Sequence, residues 1–89
     1  MTESEAYHIN KIIMENSHIH MSVGYDREKN DHYISGWYVN YLGLPSTWPM
    51  TYDKATAINY LNTVKHNTDN DFFVWLDLPV ILEELTNLT

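Results

Sequence analysis

The sequence predicts an α+β domain, a small antiparallel or mixed three-stranded sheet with helices on one face, in the order α-β-β-α-β-α. Three observations carry that expectation. Apolar residues recur at spacings of three and four in three stretches, near residues 6–13, 57–64 and 78–88. From residue 18 the period changes to two, the repeat of a strand with one covered face. The 89 residues, 44% hydrophobic and 13% aromatic, hold enough apolar material for one shared core and too little for two. Residues 1–89 are therefore expected to form a single acidic domain.

The first helix is predicted over residues 3–16. Thr2 or Ser4 can cap it, Glu5 lies in its first turn, and Ala6, Ile9, Ile12 and Ile13 form one stripe. A hairpin follows. Ile19, Met21, Val23 and Tyr25 point one way, with His18, His20, Ser22 and Gly24 opposite. After a polar turn at residues 26–31, Tyr33, Ser35, Trp37, Val39 and Tyr41 make the predicted inner row, leaving Ile34 and Tyr38 on the uncovered face. This register sets Tyr25 opposite Tyr33, Val23 opposite Ser35, Met21 opposite Trp37 and Ile19 opposite Val39.

Residues 42–50 contain Gly43, Pro45 and Pro49 and read as a loop or a short bent edge segment. Thr51 is the predicted cap of a second helix whose stripe is Ala57, Ile58, Leu61 and Val64, ending near His66. Phe72 to Leu76 is dense in β-formers and is the expected third strand. Asp77 then caps a last helix that opens through Pro79, where a missing N–H costs nothing. Its stripe of Leu78, Ile81, Leu82, Leu85 and Leu88 turns Glu83 and Glu84 toward solvent.

Net charge is −7, from 5 Lys and Arg against 12 Asp and Glu, and it is uneven. Residues 69–89 carry Asp69, Asp71, Asp77, Glu83 and Glu84 and no base. Such a balance opposes binding to nucleic acid or to an anionic membrane surface, both of which need Lys and Arg. Acids among the first five residues do not fit a secretion signal, and the stretch from Phe72 to Leu82, interrupted by Asp77 and Pro79, is too short to span a bilayer. With no cysteine, the chain is expected to be cytoplasmic.

Chemistry is sparse. His18 and His20 share a strand face, but two imidazoles fall short of the three or four ligands of a zinc site, so no metal or other cofactor is expected. Gly24, Gly36 and Gly43 form no phosphate loop, and no nucleophile elbow or HExxH motif occurs. Asp77 beside Trp75 is the best carboxylate to ask for acid–base work, and capping is its simpler role, so no enzyme is expected.

The remaining candidates suit a protein partner. Trp48 in its proline-flanked loop and one of Phe73 or Trp75, with Trp75 taken as the site residue, are expected to stay exposed as aromatic anchors, ringed by Asp69, Asp71, Asp77, Glu83 and Glu84. The expected function is a small acidic protein-binding module, an inhibitor that occupies the basic nucleic-acid-binding surface of a target. In size and charge alone the chain resembles small acidic inhibitors of nucleic-acid-binding enzymes, including DNA-mimic proteins and some anti-CRISPR proteins. That resemblance implies a phage or mobile-element setting. The alternatives are a structural or regulatory subunit that self-associates, a homodimer for example, through an uncovered sheet face bearing Ile34 and Tyr38, and a small enzyme of unknown class.

Overall fold

Thr2 caps the first helix, its hydroxyl accepting the Glu5 N–H at 3.1 Å, and α1 runs Glu3–Glu15 with Ala6, Ile9, Ile12 and Ile13 buried. Two side chains close its far end. Asn16 Nδ2 donates to the Ile12 carbonyl at 2.9 Å, and Ser17 Oγ donates to the Ile13 carbonyl at 2.7 Å while accepting the Ile19 N–H. The computed structural model describes residues 1–39, 42–66 and 77–88. Within them α1 is followed by β1 (His20–Asp26), β2 (Asp31–Val39), β3 (Pro45–Thr51), α2 (Lys54–His66) and α3 (Leu78–Asn87).

The fold is α+β, as predicted, with three antiparallel strands among the described residues, in the order β1-β2-β3. The element order differs. Among the described residues the third strand precedes α2, giving α-β-β-β-α-α, and is the proline-flanked segment. The strand expected at residues 72–76 lies outside the described residues. Pro45 and Pro49 are compatible with β3 because it sits at an edge of the sheet, where a missing donor is tolerated. The ladder shifts register between Ile34 and Gly36, and Pro49 falls in the irregular stretch, between the paired residues Trp48 and Thr51.

The hairpin register is offset by one residue from the predicted one. Tyr25 pairs with His32, Val23 with Ile34, Met21 with Gly36 and His20 with Trp37. The turn is the physical cause. Asp26 pairs with Asp31 and leaves four residues between them, an even number, so odd positions on β1 face even positions on β2. The Asp26 carboxylate holds that turn by accepting the Glu28 and Lys29 N–H groups at 2.9 and 3.2 Å, and Asn30 takes the left-handed conformation at φ 53°. The inner row of β2 is therefore Ile34, Gly36 and Tyr38, and the predicted inner residues Trp37 and Val39 lie on the open face. Gly36 leaves room on this inner row for β1, since a Cβ there would stand 2.7 Å from Met21 Sδ and 2.6 Å from the His20 carbonyl oxygen.

The helices cover this inner face. Ile9, Ile13, Ile34, Trp48, Leu61, Ile81 and Leu85 form the centre of one core, so the stripes of all three helices meet the sheet or one another. The cap of α2 is Asp53, whose Oδ1 accepts the Thr56 N–H at 2.7 Å. Thr51, the predicted cap, is instead the buried last residue of β3. No helix among the described residues is long and apolar enough to cross a membrane.

Candidate functional site: the groove between α1 and α3

The core stripe of α3 determines what its other side presents. With Ile81 and Leu85 buried, Val80, Glu83, Glu84 and Asn87 fall together at spacings of three, one and three. The same geometry on α1 leaves His8, Lys11, Ile12 and Glu15 as a matching stripe. The two helices pack together, and these stripes, with Leu88, line an open groove of about 500 Å³. Ile12 is buried, Val80 and Leu88 are half-buried, and Glu15, Glu83 and Glu84 are exposed. Among the described residues none of these three carboxylates makes a salt bridge or a side-chain hydrogen bond.

The hairpin end holds carboxylates of another kind. Asp26 accepts the Tyr52 hydroxyl at 3.0 Å in addition to the two turn N–H groups, and the Lys29 N–H, followed by the Tyr52 hydroxyl, draws its pKa below the ordinary value. Asp31 accepts the Met1 amine at 2.7 Å, which is the main cause of its lowered pKa. The backbone N–H of Thr56, helped by its side chain, lowers Asp53. Burial and the Asp26 carboxylate push Tyr52 the other way, upward. Lys29 Nζ stands 4.1 Å above the Tyr52 ring.

The sequence-predicted site residues separate accordingly. Glu83 and Glu84 lie exposed on α3, on the side away from the core. Asp77 caps α3 by accepting the Val80 N–H at 3.3 Å, so its carboxylate is already engaged. Asp69, Asp71 and Trp75 lie outside the described residues. The expectation that Trp48 is exposed is corrected, because the ring is 2% exposed, packs edge-on against Tyr60 at 4.5 Å and donates from Nε1 to Thr51 Oγ1 at 3.0 Å. It is an anchor between β3 and α2, unable to meet a partner. Glu15 was not singled out by the sequence. A polar stripe on the back of α1 is visible in the spacing, but only the packing of α1 on α3 joins it to Glu83 and Glu84.

The uncovered sheet face also differs from the expected one. Ile34 and Tyr38 are buried under the helices, and the open side carries Trp37, 49% exposed and stacked on His20 at 4.4 Å, and Val39, 56% exposed. Tyr33, on the same side, lies across Gly24, where a Cβ would stand 2.4 Å from its ring. No protein-family model, curated protein or solved structure matches the chain.

Proposed function

We propose that the chain is a small acidic protein-binding module, an inhibitor that sets the carboxylates of α1 and α3 against the basic nucleic-acid-binding surface of a target protein. The observation that supports this reading is the state of Glu15, Glu83 and Glu84, three exposed carboxylates from two helices, uncommitted within the described residues and lining one groove. Carboxylates in that state are available to a cationic surface, where complementary charge accelerates encounter and selects the partner. The test is capture from host extract on immobilised wild type and on Glu83→Lys/Glu84→Lys. A target of this kind is retained by the wild type, elutes as salt rises, is displaced by nucleic acid and is lost from the variant. Equal retention by both proteins overturns the reading. Asp77 is left intact in this test because its loss would uncap α3.

A second reading, self-association, is favoured by the open sheet face with its exposed Trp37 and Val39. It requires a sedimentation mass that rises with concentration and a Trp37→Ser variant that stays monomeric. A monomer throughout the micromolar range excludes it.

A further inference from the structure

Resting on the acidic-module reading, we infer that the α1/α3 groove receives a lysine- or arginine-rich amphipathic α-helix of the partner protein. The shape argument comes from the two stripes. Residues 8, 11, 12 and 15 and residues 80, 83, 84 and 87 each cover two turns of helix, about 10 Å at 1.5 Å per residue, so two turns of each helix wall the trough. A trough between two packed helices accepts a third through that helix's own i, i+3, i+4, i+7 stripe. Its volume of about 500 Å³ takes side chains from one face of such a helix.

Charge and polarity specify the occupant. The half-buried Val80 and Leu88 supply apolar contact, and Glu15 on one wall faces a groove shared with Glu83 and Glu84 on the other. Lys11 also lines the groove, so three carboxylates stand against one ammonium and the trough is negative on balance. An occupant with leucine-like residues on its inner stripe and Lys or Arg flanking them satisfies both features. An acidic or uncharged helix would leave the carboxylates partly desolvated and unpaired, which disfavours it.

The probe is a 14-residue peptide of Leu and Lys in a helical repeat, titrated into the isotopically labelled full chain. Two comparison peptides accompany it, one of identical sequence with alternating D-residues that prevent helix formation, and one with Glu in place of Lys. The expected result is binding of the helical cationic peptide with shift changes at residues 8–15 and 80–88, and affinity at least about tenfold weaker for Glu15→Lys and for Glu83→Lys/Glu84→Lys. Lysine near the C-terminal end of α1 suits the helix dipole, so Glu15→Lys tests binding without weakening the helix. Equal binding of the D-containing peptide, or loss of affinity with the α3 reversals alone, overturns the helix-in-groove inference and leaves the acidic-surface reading standing. Failure of both cationic peptides to bind, or binding mapped to the open sheet face, overturns the inference. The capture experiment then judges the broader reading separately.

Discussion

At the hairpin end, Asp26, Asp31 and Asp53 each accept backbone, side-chain or amine donors, whereas Glu15, Glu83 and Glu84 in the α1/α3 groove accept none among the described residues. Both sets belong to one strongly acidic chain, and net charge alone does not separate them. Local geometry does. An aspartate is short enough to bond backbone N–H groups two or three residues on, which closes turns and caps helices, and Asp26 and Asp31 also hold the Tyr52 hydroxyl and the Met1 amine. A glutamate past the first turn of a helix, as Glu83 and Glu84 are in α3 and Glu15 is at the end of α1, has no such free donor nearby and projects into solvent. The first group holds the fold, and the second stays uncommitted among the described residues.

The largest effect expected comes from removing the aromatic anchor between β3 and α2, next to which neither set of carboxylates counts for much. Trp48→Ala takes out a buried ring packed on Tyr60 and should cost about 3–5 kcal/mol, a large part of the stability of a domain this size. Denaturant unfolding measures it, and a loss below about 1 kcal/mol would show that the ring is not a core anchor.

Next comes the cap. Asp53→Ala should cost about 0.5–2 kcal/mol by freeing the Thr56 N–H, and Asp53→Asn should recover most of it. Failure of asparagine to rescue would assign the loss to charge and not to capping.

Acid sharpens the comparison further. The folded pKa values of Asp26, Asp31 and Asp53 are depressed, so the stability they contribute is complete above the ordinary carboxylate range, near about pH 4, and is lost as pH falls through the lower folded values. Tyr52 has the opposite sign. Its raised pKa contributes stability below the ordinary phenol range, near about pH 10, which is lost as pH rises through the higher folded value. Unfolding midpoints across pH should therefore fall at both extremes, and Asp26→Ala should flatten both limbs. A variant with an unchanged profile would contradict the Asp26–Tyr52 link.

The smallest effect on folding belongs to the groove. Glu83→Lys/Glu84→Lys should change stability by no more than about 0.5 kcal/mol while weakening capture of a basic partner. A larger loss of stability would give these glutamates a part in the fold.

Much of the fold was legible because helices announce themselves locally. The stripes at Ala6–Ile13, Ala57–Val64 and Leu78–Leu88, with Asp77 as cap, all appear in the structure as elements with buried Ala6, Leu61 and Ile81. The strands were harder for physical reasons. Both rows of β2 are apolar enough to be inner, and the choice was made by an even-numbered turn that Asp26 closes through its own backbone neighbours. Two prolines disguised β3, and only its edge position makes them acceptable. Trp48 looked exposed because it lies between Ser46–Thr47 and Pro49, yet its even-numbered position shares the inner face with Ser46, and Tyr60 of α2 closes over it. Glu83 and Glu84 were readable from the α3 stripe, whereas adding Glu15 required knowing that α1 packs on α3.

Thermal unfolding of Asp26→Ala/Asp53→Ala beside Glu83→Ala/Glu84→Ala, at neutral pH, tests the division of the carboxylates most directly. The account predicts a midpoint lowered by at least about 4 °C for the aspartate pair, on the scale of about 4–8 °C per kcal/mol for small domains, and a shift within about 2 °C for the glutamate pair. Equal losses, or a greater loss for the glutamate pair, would contradict it.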